Sequence, residues 1–74
     1  MEEKVLLIIN EIRAAKELAP IDAISAETKL REDLNLTSFD LAELTVKIED
    51  EFDIDIFEDG LVSTVGEIFA KLQA

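Results

Sequence analysis

Cysteine and histidine are both missing from these 74 residues, as are tryptophan and tyrosine. Without Cys there is no disulfide framework, no thiolate nucleophile and no sulfur-ligated metal. Without His there is no Ser-His-Asp triad, no proton shuttle near neutral pH and no zinc site of the usual ligands. Glycine occurs twice and proline once, too seldom for the turns of an all-β fold, so helices are expected. Long apolar runs are missing too. The longest, Val5 to Ile9, falls far short of a membrane span. The Met1-Glu2-Glu3-Lys4 start lacks the basic and apolar regions of a signal peptide, so the expected location is the cytoplasm. Positive charge is scarce: seven Lys and Arg stand against 18 Asp and Glu, a net charge of −11. Such a chain repels nucleic acid and anionic membrane surfaces, and its natural complement is a partner with a basic patch.

What is present divides into amphipathic segments within a single domain, residues 1–74. Val5, Ile8, Ile9 and Ile12 follow the helical i, i+3, i+4, i+7 pattern. Glu2 and Glu3 precede them, and Arg13 and Lys16 follow, as the macrodipole favours. A first helix is predicted over about residues 3 to 17. Pro20 then opposes helix at Ala19. A long loop follows to Thr37, anchored by Ile21, Ile24, Leu30, Leu34 and Leu36; long loops inside small domains are usually functional.

From Ser38 the apolar residues Leu41, Leu44, Ile48 and Phe52 recur at helical spacing. Asp40, Glu43, Lys47 and Asp50 occupy the neighbouring stripe, read as an exposed acidic face. Thr37 and Ser38 are equally suited to cap this helix, and the pattern does not choose between them. The alternating stretch Phe52 to Phe57 has no strand partner and is read as a connector into a short helical turn over about 57 to 61. Thr64 and Glu67 form a capping-box pattern that starts a last helix over about 65 to 73. Between Asp40 and Asp59 nine acids stand against Lys47 alone, so the negative field is concentrated there.

The Asp cluster does not make an EF-hand. With Gly60 at loop position 6, Phe57 falls at position 3 and Gly66 at the position that requires Glu. No metal site is expected. A hydrolase is excluded in turn because no base accompanies Ser38.

The stretch from Glu32 to Leu41 sets a serine between a long loop and an acidic helix. Together with Glu49-Asp50-Glu51-Phe52-Asp53-Ile54-Asp55-Ile56 and Thr64-Val65-Gly66-Glu67, it resembles the acyl carrier proteins over about residues 30 to 72. The resemblance implies an all-α, antiparallel four-helix bundle with a short third helix and a long loop between helices 1 and 2. It implies a non-catalytic, monomeric carrier. Ser38 would take 4′-phosphopantetheine from coenzyme A through a phosphopantetheinyl transferase, the serine hydroxyl attacking the β-phosphate. The terminal thiol would hold acyl groups as thioesters for fatty acid or specialised acyl synthesis. That suits a chain without a thiol of its own, and a helix start favours the negative phosphodiester.

Asp40 matches a position that the family uses in recognition by the transferase, while Asp40, Glu43, Val46, Lys47 and Asp50 together read either as a solvated helix face or as a surface on which acyl-loading and acyl-processing enzymes dock. Val46 lies on the far side of the helix from Leu41 and Ile48, among the exposed acids. Lys47 is also at i, i+4 spacing from Glu43 and Glu51, where a simple ion pair would account for it. Leu30, Ile48, Ile54, Ile56 and Phe69 are candidates for an acyl pocket, although a helical bundle would bury them in any case. The family most often has Asp before the serine and Leu after it, where this chain has Thr37 and Phe39; the change bears on which transferase accepts the chain. Two alternatives remain: a D-alanyl, aminoacyl, polyketide or nonribosomal peptide carrier, separated by its loading enzyme, and an acidic interaction module without a prosthetic group, separated by the fate of Ser38.

Overall fold

The computed structural model describes residues 2–58 and 60–73. Three α-helices follow in order: α1 (Glu2–Ala15), α2 (Ser38–Phe52) and α3 (Val65–Leu72). Among the described residues there is no strand, only an isolated antiparallel bridge between Lys29 and Thr64.

Helix α1 buries Val5, Ile8, Ile9 and Ile12, the stripe its periodicity predicts. It ends at Ala15, two residues before the expected boundary. The chain there turns through Glu17 at φ 62°, with Glu17 N–H donating to the Ala14 carbonyl and Leu18 N–H to the Arg13 carbonyl. This paired pattern is a Schellman stop, built on Glu rather than Gly. The apolar face of α1 meets Leu41, Leu44 and Ile48 of α2. The two helices run antiparallel, since Lys4 pairs with Glu51 at one end and Lys16 with Asp40 at the other.

The long loop is held at many points. Asn10 exchanges hydrogen bonds with the backbone of Ile21, at 3.0 and 2.8 Å. Ile24, Leu30, Leu34 and Leu36 are buried in the core, and Ile21 packs against it half-buried. Each such side chain contributes about 2 kcal/mol by leaving water, which lets a loop of this length hold one course. Its second half lies beside the start of α3: Leu30 N–H donates to Ser63, Val65 N–H to Thr28 and Gly66 N–H to Ala26. Gly66 is required by that approach, because a Cβ there would lie 2.8 Å from the Ala26 carbonyl oxygen.

The short helix expected over 57 to 61 is not formed among the described residues; Asp59 lies outside them. After α2 the chain leaves through Asp53 in a left-handed cap at φ 60°, passes Ile54 and turns over Ile56 to Glu58. Phe57 N–H bonds the Asp55 side chain, Glu58 N–H the Asp55 carbonyl, and Gly60 N–H the Phe57 carbonyl. Isolated i to i−3 turns take the place of a helix because one turn fixes many dihedrals for few hydrogen bonds.

Candidate functional site

Thr37, not Ser38, caps α2. Its φ and ψ of −89° and 175° are extended, and its side chain accepts from Asp40 N–H at 3.2 Å. The Asp40 carboxylate returns the contact, accepting from Thr37 N–H at 2.8 Å. This is a capping box with Asp in the third helical position, and it leaves Ser38 as the first helical residue.

Ser38 is exposed, and its hydroxyl has no hydrogen-bond partner among the described residues. Its amide and that of Phe39 likewise donate to nothing within the described chain, as the first amides of a helix must unless something outside it accepts. A nucleophile-sized oxygen and two amides therefore face outward at the positive end of a 15-residue helix. That arrangement fits a phosphodiester on Ser38.

Ser38 lines a cleft of about 310 Å³ together with Leu41, Ala42, Phe57, Leu61 and Val62 and the polar Arg31, Glu32 and Ser63. Phe39 and Leu61 are 81% and 83% exposed, so apolar surface flanks the serine. The five acyl-pocket candidates lie elsewhere. Leu30, Ile48 and Ile56 are fully buried in the core, Ile54 and Phe69 are half-buried, and none of them lines this cleft. Phe57, Leu61 and Val62 were not singled out by the sequence, because a helical period says nothing about residues in a connector.

Of the docking candidates, Val46 is 67% exposed, Asp50 is exposed, and Glu43 and Lys47 are partly so. Val46, Lys47 and Asp50 border one shallow depression on the outer face of α2. Asp40 departs from the expected stripe. It is buried, and its carboxylate is engaged by Thr37 and by the Lys16 ammonium at 2.6 Å. The Lys16 contact first, then the Thr37 amide, holds this carboxyl below its usual value of 3.8. Helical geometry explains the departure: Asp40 is about 40° from Leu44 around α2, at the edge of the buried face. Lys47 forms the expected ion pair with neither Glu43 nor Glu51, and Glu51 is instead paired with Lys4 at 2.8 Å. Among the described residues no cluster of acidic side chains could hold a metal ion, and no helix is long and apolar enough to cross a membrane.

The family profile described as "Phosphopantetheine attachment site" matches residues 8–71. The acyl carrier protein of Exiguobacterium sp. is 30% identical over 74 residues, covering 97% of this chain and 94% of that one. The chain belongs to the acyl carrier protein family. The acyl carrier protein of Picosynechococcus sp. is 44% identical over 48 residues, 62% of this chain and 59% of that one. The mitochondrial acyl carrier protein of Saccharomyces cerevisiae is 44% identical over 52 residues, 66% of this chain and 42% of that one. No solved structure matches. Acyl carrier proteins are carriers rather than enzymes, and the matched domain is the attachment site for covalent phosphopantetheine.

Proposed function

We propose that the chain is a single carrier domain whose Ser38 receives 4′-phosphopantetheine from coenzyme A, in service of fatty acid or specialised acyl synthesis in the cytoplasm. One observation carries this reading. The cap of α2 is made by Thr37 and Asp40, so the neighbouring Ser38 hydroxyl stands exposed at the helix start, without a partner among the described residues. In the transfer, Ser38 Oγ forms the new bond to the β-phosphorus and gives up its proton. The pyrophosphate bond breaks, and adenosine 3′,5′-bisphosphate leaves. The free amides of Ser38 and Phe39 and the α2 dipole then face the phosphodiester's negative charge. When bound, the group supplies the thiol that a chain without cysteine lacks.

The remaining residues of the chain have supporting parts. The turns in which Glu58 N–H bonds Asp55 and Gly60 N–H bonds Phe57 stand in for the short third helix of the family's bundle, and Phe57 also lines the cleft. Glu43, Val46, Lys47 and Asp50 form the face that meets the transferase and the acyl-loading and acyl-processing enzymes. Acids there steer a basic partner, and Val46 sets a small apolar contact.

The test is intact-mass measurement after incubation with coenzyme A and a broad-specificity phosphopantetheinyl transferase. The wild type gains one phosphopantetheine and Ser38→Ala gains none. Modification mapped to Ser25, Ser63 or a threonine, or none with several transferases, refutes the assignment and favours an interaction module.

A further inference from the structure

Arg13 in the last turn of α1 and Lys16 just beyond its end both reach across to the segment that precedes Ser38. Arg13 is buried; its Nη1 donates to the Leu34 carbonyl at 2.6 Å, while Nε and Nη2 both bond the Ala19 carbonyl, at 3.1 and 3.0 Å. Lys16 Nζ donates to the Asn35 carbonyl at 2.5 Å and to Asp40 Oδ2 at 2.6 Å. Its two acceptors bracket the serine. On one side is Asn35, in a left-handed turn at φ 59°; on the other is the carboxylate that completes the capping box with Thr37.

Among the described residues Ser38 has no side-chain hydrogen bond to fix it, so its hydroxyl goes where the backbone from Asn35 to Asp40 puts it. Lys16 grips both ends of that backbone at once. The second tie between these helices, Lys4 to Glu51, differs in kind. It joins two largely exposed side chains at the far end of α2, whereas the Lys16 and Asp40 side chains are only 28% and 10% exposed. Exposed pairs of the first sort contribute little.

We propose that Lys16 is a positioning residue for Ser38: by holding the Asn35 carbonyl and the Asp40 carboxylate together, it fixes where the hydroxyl is presented to the transferase. The inference rests on Ser38 being the attachment residue. Attack on phosphorus is sensitive to placement, and a misplacement of about 1 Å costs up to roughly a hundredfold in rate. The outer face of α2, where a partner would dock, does not involve Lys16. Its loss should therefore act on the chemical step and spare recognition.

The experiment compares full-length wild type, Lys16→Met, Lys16→Arg and Lys4→Met as apo proteins, well below their melting temperatures. Two readouts are taken: transferase kinetics with coenzyme A, and amide hydrogen exchange. Lys4→Met removes the same charge and also cuts an α1–α2 ion pair, so it controls for net charge and for helix pairing in general. The expected result for Lys16→Met is a kcat lowered roughly ten- to a hundredfold, with KM within about threefold of wild type. Exchange should quicken at Asp40 and Leu41 and stay unchanged at Ile68. Lys16→Arg recovers most of the rate, and Lys4→Met matches wild type. Quicker exchange with an unaltered kcat would make the tie purely structural and overturn the inference. So would a change in KM alone, or unchanged exchange. A wild type that gains no mass would instead overturn the carrier reading, and this inference with it.

Discussion

Gly66→Ala places two opposing effects in one substitution, and the structure decides their sign. In an open helix the change is favourable by about 1 kcal/mol, since Ala loses less backbone freedom on folding than Gly. At this position the added Cβ would lie 2.8 Å from the Ala26 carbonyl oxygen, 3.0 Å from its Cβ and 3.2 Å from its Cα. The nearest atom is backbone and cannot swing aside. Moreover, that oxygen accepts the Gly66 N–H at 3.0 Å, so opening the clash lengthens the hydrogen bond that docks the loop on α3. Forced overpacking costs about 1–3 kcal/mol, and weakening the bond adds about 1 kcal/mol. After subtracting the propensity gain, a net loss of about 1–3 kcal/mol remains. For a domain of this size each kcal/mol lowers Tm by roughly 4–8 °C, so the variant should melt about 5–20 °C below wild type by circular dichroism. Ala26→Gly in the same chain would recover only part, since it removes the Cβ contact and keeps the oxygen. A Gly66→Ala protein that melts at or above the wild-type temperature would show that the loop yields freely and that its bonds to α3 hold nothing.

Thr37→Ala removes the acceptor for Asp40 N–H and should cost about 1–2 kcal/mol in urea unfolding, while Thr37→Ser keeps most of the stability. Asp40 titrates below its usual value in the folded chain, so its contribution is complete above about pH 4 and is lost as pH falls through the folded value. Asp40→Asn should therefore flatten the acid limb of the Tm profile below about pH 4; profiles that stay parallel would refute this. Glu67, also lowered, chiefly by the Ser63 amide, leaves some acid sensitivity in that variant. Finally, Glu43→Lys should slow association with the transferase at low salt and less so at high salt, and Val46→Ala should raise KM. Kinetics indifferent to both would remove α2's outer face from docking.

The three helices were legible because each buries one stripe, and Val5, Ile8, Ile9, Ile12, Leu41, Leu44 and Ile48 write that stripe in three- and four-residue steps. Thr64 and Glu67 marked the start of α3 outright. At α2 a hydroxyl at both 37 and 38 hid the cap, although Asp40 three residues after Thr37 carried the signal: the box closes on Thr37, whereas Ser38 would need an acid where Leu41 stands. Arg13 and Lys16 read only as charges suited to a helix end, because nothing local discloses contacts to Leu34, Asn35 and Asp40, 19 to 24 residues away. Asp40 was placed on the exposed stripe although its angle of about 40° from Leu44 already set it at the edge of the buried face; only its pairing with Lys16 was beyond local reading. The cleft beside Ser38 escaped because the connector residues Phe57, Leu61, Val62 and Ser63 build much of it, and they have no period to read.

Placing the cap on Thr37 separates two duties that adjacent hydroxyls might have shared. Because the cap of α2 is made by Thr37 and Asp40, the helix start is complete whether or not the Ser38 hydroxyl is substituted. A group joined there would sit at a point the cap does not consult. On the proposed reading, such a scaffold would be loaded and emptied through many cycles without being unmade.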